Sequence, residues 1–327
     1  MRGIARWAAA ALGALALVLV LPEAARAWGP GTHVHLGLEI LGSLNLFSPA
    51  MASLLSANAL DFLYGSVAAD IPVGKRYAPE DRHPHAWHVG REMYRAAGDD
   101  PALRAAALGY LSHLAADVTA HEVFVPRMLL LTASTKGVGH SYWEHRMDGE
   151  AGEDDMRMAR SLVLERDHRR ADRLLDSVLD QTLLSFRANR RIFSGMVRVL
   201  DDDRWQTFFD ALIDVSRWDL ETSTARTFMR HTFHNVAAFL REPADAPVTR
   251  RDPTGEEELG RAKRLRRRVL RRDGLSAQPG LARVADRHFP VPEDRDIGLW
   301  RRRGRTAGVA QWTRRELLAP TRRRLAG

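Results

Sequence analysis

The sequence predicts an all-α fold, a single irregular bundle of helices, for the body of the chain. Beyond Trp28, apolar residues recur at intervals of three and four in most windows, which is the spacing of one helix face. No convincing segment alternates apolar and polar residues with the period of two that marks a strand. Proline and glycine fall between the windows, where helices begin and end. We therefore expect roughly seven to nine helices packed together.

The helical spacing is found in separate windows, and the breaks between them support this division. The windows are 36–44, 51–64, 102–131, 156–183, 193–200, 205–218 and 222–240. The breaks are Ser48-Pro49 and the segments 71–74, 99–101 and 135–139. Together they define a helical body, residues 28–244, between two segments of different character.

The first segment, residues 1–27, has the pattern of a cleavable signal peptide. Two arginines precede the apolar run 8–21, and Ala25-Arg26-Ala27 supplies the small residues that a signal peptidase requires. Cleavage after Ala27 would leave a mature chain that begins at Trp28. The apolar run is short for a membrane span of about 20 residues. We therefore expect a secreted or periplasmic protein rather than one held by an uncleaved anchor.

The last segment, residues 245–327, is basic and rich in proline. From Arg250 onward, 22 Lys and Arg stand against 10 Asp and Glu, a net charge of +12, whereas the rest of the chain carries −4. One stretch, 256–272, has the composition of a charged helix, and the remainder has too few large apolar residues for a core of its own. We expect a partly disordered extension. Its arginines would attract an anionic membrane surface, although a solvated tail that aids solubility explains them equally well.

Composition excludes several kinds of functional site. The 327 residues are 45% hydrophobic and include no cysteine, so disulfide scaffolds, cysteine zinc fingers, iron–sulfur clusters and thiol nucleophiles are ruled out. Any metal ion would have to be bound by His, Asp, Glu or backbone groups. Thirteen histidines keep that option open.

Histidines and carboxylates recur at one-turn spacing in two places. In the window 102–131, His113, Asp117 and His121 are four residues apart, so all three project from one face of a helix. His140 and Glu144 repeat the spacing at the expected start of another helix. A single pair of this kind is more often an ordinary side-chain pair, but the combination predicts a metal site.

Two further places contribute candidate ligands. His33 and His35 closely follow the expected new N-terminus, and Asp70 precedes a histidine-rich segment. The histidines of that segment are His83, His85 and His88. In chain order the pattern is Trp, His, Asp, His, then His-x-x-x-Asp, His and His-x-x-x-Glu.

This ordered pattern resembles the zinc-dependent phospholipase C family, which shares its fold and a trinuclear zinc site with fungal single-strand nucleases. The resemblance implies about three zinc ions. The implied ligands are Trp28, His33, Asp70, His85, His113, Asp117, His121, His140 and Glu144. Trp28 would bind through its freed α-amine and its carbonyl oxygen, and Asp117 would bridge two ions.

Some positions in this assignment have alternatives. His35 is the alternative to His33, because both follow Trp28 closely. His83 and His88 are the alternatives to His85, which we choose because its distance from Asp70 is closest to the family's. The gap between Asp117 and His121 is three residues, shorter than in the best-known members of the family.

The resemblance also implies an activity. Zinc held by carboxylates and imidazoles lowers the pKa of bound water to about 7 and stabilises charge on phosphoryl oxygens. Asp70 is expected to accept a proton, and the implied reaction is hydrolysis of a phospholipid to diacylglycerol and a phosphorylated head group. The alternatives are a nuclease-like phosphodiesterase and a non-catalytic relative that keeps the metal for stability and binds a surface. Some aromatic residues would contact the substrate unless they pack in the core: Tyr64, Trp87, Tyr142 and Trp143.

Overall fold

The computed structural model describes residues 28–72, 82–132, 137–179, 186–200, 218–274 and 277–293. In these ranges every regular element is a helix, which confirms the all-α prediction. The expected signal peptide, nearly all of the window 205–218 and the end of the basic extension lie outside the described residues. Within the described part of the chain, no helix is both long and apolar enough to cross a membrane.

Most described helices overlap the predicted windows or the charged stretch 256–272, but the helices at 87–96, 137–151 and 278–288 lie outside them. The described helices are α1 (Pro30–Leu41), α2 (Pro49–Ala57), α3 (Ala59–Ala68), α4 (Trp87–Ala96), α5 (Pro101–Thr119), α6 (Val125–Leu131), α7 (Gly137–Ala151), α8 (Glu153–Leu164), α9 (Arg169–Val178), α10 (Phe186–Leu200), α11 (Thr222–Arg241), α12 (Glu256–Asp273) and α13 (Gln278–His288). The window 51–64 is divided at Asn58, whose side chain donates a hydrogen bond to the Leu54 carbonyl at the end of α2. The window 156–183 is divided between α8 and α9.

Helix α5 is the central helix of the bundle. Asp100 caps its first turn by accepting hydrogen bonds from the amides of Ala102 and Leu103, and Pro101 occupies the first helical position. From Ala105 to Thr119 every residue is buried. A helix that is buried on all sides must pack against neighbours all round, and α5 contacts α1, α3, α4 and α11.

Two glycines allow α3 and α5 to approach closely. A side chain at Gly65 of α3 would collide with the carbonyl of Ala106, and one at Gly109 of α5 would collide with the carbonyl of Phe62. The backbones can pack at this distance only because neither glycine has a Cβ atom. This contact brings the end of α3 beside the middle of α5.

A π-helical turn, Ala120–Phe124, separates α5 from α6. Pro126 follows within the first turn of α6, and proline has no N–H to continue the regular ladder of hydrogen bonds. Such turns insert one extra residue into a helix and often occur at functional sites. The predicted window 102–131 is therefore helical throughout, but its winding changes just before His121.

The described part of the C-terminal extension packs against the body. Helices α12 and α13 both contact α6. Their apolar residues form a small second core around Leu130 of the body, consisting of Ala262, Val269, Ala277, Leu281, Ala285 and Phe289. Arg127 of α6 also bonds the Phe289 carbonyl at 3.1 Å and pairs with Asp286 at 2.8 Å. The extension thus shares its core with the body instead of building one of its own.

Candidate metal centre

Five buried side chains meet where α1, α3 and α5 pack together. His33 lies in the first turn of α1, and Asp70 follows the end of α3. His85 precedes α4, and His113 and Asp117 lie one turn apart in α5. All five residues are at most 5% exposed. We call these five residues the inner group.

Asp117 lies at the centre of the inner group. Its Oδ1 atom is 3.3 Å from His33 Nε2. Its Oδ2 atom is 3.0 Å from His85 Nε2 and 3.2 Å from His113 Nε2. The His113–Asp117 pair predicted from helical spacing is thus completed by histidines that are distant in sequence.

Asp70 approaches two of the same imidazoles. Its Oδ1 atom lies 3.5 Å from His85 Nε2 and 3.9 Å from His113 Nε2, and these two nitrogens are 3.1 Å apart. Two sets of three residues therefore have all their ligand atoms within 4.8 Å of one another: His33, Asp70 and His113, and His85, His113 and Asp117. His113 belongs to both sets.

Contacts behind the predicted ligands hold the imidazole rings in place. His113 Nδ1 lies 2.9 Å from the Ser66 carbonyl of α3. A carbonyl only accepts hydrogen bonds, so Nδ1 carries the hydrogen, and in the neutral ring the lone pair is on Nε2. The His33 ring stacks on the His113 ring with centroids 3.8 Å apart. The Tyr110 hydroxyl donates to the Pro84 carbonyl and so fixes the turn that carries His85.

Protonation in the inner group follows from burial and from the neighbouring rings. Burial, assisted by the nearby His113, lowers the pKa of His33, so this ring is neutral. Burial alone would raise the pKa of Asp117, but the surrounding imidazoles, His113 foremost, hold it well below its usual value. Neutral His33 and ionised Asp117 are therefore in the forms that bind metal ions.

The inner group fits zinc. A lone pair on His113 Nε2 that faces carboxylate oxygens is repelled unless a cation, either a proton or a metal ion, lies between them. Neither Asp117 oxygen has a hydrogen bond of normal geometry among the described residues. Zinc bonds of about 2.0–2.1 Å in a tetrahedral arrangement place neighbouring ligand atoms about 3.3 Å apart. The separations of 3.0 to 3.9 Å around Asp70 and Asp117 match that spacing.

The expected mature N-terminus lies beside the inner group. Trp28 is fully buried, and its indole N–H donates to the Ala116 carbonyl, next to Asp117, at 3.2 Å. Asp148 of α7 accepts hydrogen bonds from the Thr32 amide at 2.9 Å and the Thr32 hydroxyl at 2.6 Å. The carboxylate of Asp148 therefore caps the first turn of α1 and fixes the direction in which the N-terminal residues enter the bundle.

The remaining predicted ligands, His121, His140 and Glu144, form a second set that we call the outer group. His121 is fully buried in the π turn, and its Nδ1 atom lies 2.6 Å from the Pro253 carbonyl. Glu144 is 5% exposed and lies one turn before Asp148 in α7. His140 lies in the first turn of α7, but its side chain is outside the described residues. The two described side chains of the outer group are thus both buried.

The alternative histidines lie outside the inner group. His35 Nδ1 is 2.7 Å from Asp155 of α8. His83 is half-buried, and its Nδ1 atom accepts a hydrogen bond from the His85 amide at 3.1 Å. His88 is exposed on α4. Of the alternatives that the sequence left open, the inner group contains His33 and His85.

The aromatic residues suggested for a substrate pocket all have internal contacts. Trp143 is buried in the core. The other three use their polar atom in an internal hydrogen bond: Tyr64 to Asp172, Trp87 to the Arg251 carbonyl and Tyr142 to the Trp218 carbonyl. These contacts favour packing as their role.

The residues that support the predicted ligands could not be identified from the sequence. Ser66, Asp148 and Pro253 act on α5, α1 and the π turn from elements far away in the chain, 132 positions away for Pro253 and His121. No local spacing signals such contacts. Of these three residues, only Asp148 has a weak signal in the sequence, because it lies one helical turn beyond the predicted ligand Glu144.

Comparison with known proteins gives a match to a family model. A family model described as zinc dependent phospholipase C matches residues 32–192. Neither the curated proteins nor the solved structures gave a match. The matched range contains the whole inner group and the outer group, whereas Trp28 and the segment around Pro253 lie outside it.

Proposed function

This chain belongs to the zinc-dependent phospholipase C family, whose model matches residues 32–192, and on that premise we propose that it is an exported phosphodiesterase that hydrolyses phospholipids. The products would be diacylglycerol and a phosphorylated head group. The observation that supports the proposal most is the inner group, whose carboxylates and imidazoles lie close enough to share metal ions. A core that served packing alone would not bury so many titratable side chains, because each costs free energy to bury.

We assign about three zinc ions to the processed chain. The inner group and Trp28 would hold two of them, and the outer group would hold the third. Trp28 can bind through its α-amine only when the preceding peptide bond has been cut. The proposal therefore includes export with cleavage after Ala27, to the periplasm or the outside of the cell.

When bound, zinc would lower the pKa of water to about 7 and stabilise the charge on the phosphoryl oxygens. The residues of the chain provide orientation, a dry site and a proton acceptor. The Ser66 carbonyl and the His33 ring hold His113 in one orientation. Asp70 would accept a proton, and the distances of its Oδ1 atom from His85 Nε2, 3.5 Å, and from His113 Nε2, 3.9 Å, support this role.

The extension offers a basic face for an anionic lipid surface. Arg264, Arg267, Arg268 and Arg271 are exposed and follow the i, i+3, i+4, i+7 pattern of one helix face. The opposite face of α12 carries Ala262 and Val269 into the second core. A helix that is fixed to the body by one face can present the other to the membrane. We propose that this arginine face makes peripheral contact with anionic phospholipids.

An assay with three substrates tests the proposed activity. The processed full-length protein would be incubated with phosphatidylcholine vesicles, with single-stranded DNA and with a soluble aryl phosphodiester. Release of phosphorylated head group from the vesicles is the expected result. Cleavage of DNA without lipid turnover would indicate a nuclease. A zinc-loaded protein that cleaves none of the three would indicate a non-catalytic relative.

A further inference from the structure

A short loop of the C-terminal extension, residues 251–255, lies directly on His121. The Pro253 carbonyl is 2.6 Å from His121 Nδ1. This carbonyl only accepts, so the ring donates from Nδ1, and in the neutral ring the lone pair is on Nε2. A histidine that binds a metal through one nitrogen commonly donates the other N–H to such a backbone carbonyl.

The loop approaches the backbone of His121 as closely as its ring. Gly255 has a positive φ of +57°, and an added Cβ would lie 2.6 Å from both the carbonyl carbon and the carbonyl oxygen of His121. It would also collide with the His121 side chain. Glycine is therefore required at this position both by its backbone conformation and by the lack of space.

Other contacts fasten the loop at this place. The Asp252 amide donates to Glu122 Oε1 at 2.9 Å, and Arg251 forms an ion pair with the same carboxylate. The Trp87 indole donates to the Arg251 carbonyl at 2.8 Å. The Thr254 amide donates to Asp252 Oδ1 at 2.9 Å, which closes a tight turn. Glu122, the residue next to His121, thus binds the loop whose Pro253 carbonyl contacts the His121 ring.

We propose that the loop 251–255 positions His121 for the outer zinc ion. The proposal rests on the proposed function, because it takes His121 to be a zinc ligand. The π turn separates His121 from the regular register of His113 and Asp117, so α5 alone does not fix the direction of the ring. The Pro253 carbonyl supplies that direction. The metal centre is then incomplete without a segment that lies outside the matched residues 32–192.

A matched pair of glycines tests the proposal in the processed full-length protein. Gly255→Ala and Gly274→Ala place the same side chain at positive φ, +57° and +54°, at the two ends of α12. Only the first collides with His121, because no described residue lies within 4 Å of a Cβ at Gly274. Both variants and the unmodified protein would be dialysed against increasing concentrations of a zinc chelator, and zinc per chain would be measured by elemental analysis. Thermal melting of the chelated samples would show whether the two substitutions cost similar stability.

We expect Gly255→Ala to lose one zinc ion at a chelator concentration about 10- to 100-fold lower than Gly274→Ala does. The remaining ions should stay bound in both variants. Equal zinc retention in the two variants would overturn the proposal, as would loss of all zinc ions together from Gly255→Ala. An unmodified protein that binds zinc only in the inner group would also overturn it. An unmodified protein that binds no zinc would instead overturn the proposed function.

A second pair keeps the test decisive if Gly255→Ala does not fold. Glu122→Ala removes both contacts between Glu122 and the loop without adding a side chain. Glu258→Ala removes an ion pair with Arg261 that lies elsewhere on α12. The same selective loss of one zinc ion is expected from Glu122→Ala but not from Glu258→Ala. Equal retention in this pair would overturn the proposal.

Discussion

The inner and outer groups of predicted ligands are held by different means, although Asp117 and His121 are only about one helical turn apart in sequence. The inner group depends on the close packing of α3 and α5, which Gly65 and Gly109 permit. The outer group begins in a π turn and is contacted by a loop 132 residues later in the chain. Regular helix packing thus positions the inner group, whereas a loop distant in sequence contacts His121 of the outer group.

The largest expected effect comes from breaking the inner group at its centre. Asp117→Asn keeps the size of the side chain but removes the negative charge that the imidazoles face. We expect the loss of about two zinc ions per chain. Turnover should fall by at least about 10³-fold, the upper end of what one lost electrostatic group costs. Elemental analysis and kcat/KM measure the two effects.

The control for this variant is Asp155→Asn. It alters another buried carboxylate that faces a histidine, but this pair, His35 and Asp155, lies outside the inner group. Zinc content and turnover should remain close to those of the unmodified protein. Full zinc content in Asp117→Asn would contradict the central place of Asp117.

The second-largest effect is expected from disturbing the helix packing behind the inner group. Gly65→Ala forces α3 and α5 apart, because its Cβ would collide with the Ala106 carbonyl. We expect the free energy of unfolding to fall by about 3 kcal/mol, the upper end of the cost of overpacking. Chemical denaturation measures it, with Gly149→Ala as the control because, in the part of the chain that the structure describes, a Cβ at Gly149 has nothing within 4 Å. Similar stability of the two variants would show that the close approach of α3 and α5 is not needed.

A third effect concerns a histidine outside both groups. Burial, with help from Arg190, lowers the pKa of His168 to about 4. The native state therefore binds fewer protons than the unfolded state between pH 4 and the ordinary histidine pKa of 6.5. Stability should be unaffected above pH 6.5, fall as the pH drops below it, and be lower by up to about 3 kcal/mol at pH 4.

Denaturation of the zinc-free protein at several pH values measures this dependence. His168→Gln cannot take up the proton, so its stability should fall less between pH 6.5 and pH 4. An unchanged pH dependence in this variant would contradict the prediction, because the acid sensitivity would then arise from other buried groups.

The smallest effect tests the extension alone. Replacing both Arg267 and Arg268 by Gln should weaken binding to anionic vesicles by about 1 kcal/mol per residue at low salt, roughly 30-fold in total. Turnover of a soluble diester should not change. The control is Arg187→Gln, which removes an exposed arginine from α10. Equal binding of the variant and the control would show that the arginine face does not contact lipid.

The sequence could predict those features that regular helices carry. His113 and Asp117 share a face because α5 keeps its α-helical register as far as Thr119. Asp70 and the histidine-rich segment behind it are also candidates from the sequence, but His85 could be chosen within that segment only through the resemblance to a family, since the packing of the helices determines which histidine meets Asp70. The charged helix predicted over 256–272 corresponds to α12.

The features that depend on contacts distant in sequence could not be predicted. The π turn at Ala120 changes the winding just before His121, and Pro126 in the same window is compatible with this change without predicting its position. The extension was expected to lack a core of its own, but its packing on Leu130 and the contact of Gly255 with His121 depend on shape. Shape complementarity of this kind is visible only in the folded chain.

Zinc content per chain, measured on exported protein whose N-terminus is identified in the same sample, tests the proposed metal centre most directly. We predict about three zinc ions on a chain that begins at Trp28. A chain that begins at Trp28 and contains no zinc would contradict this prediction, because the buried carboxylates and imidazoles would then not serve as zinc ligands.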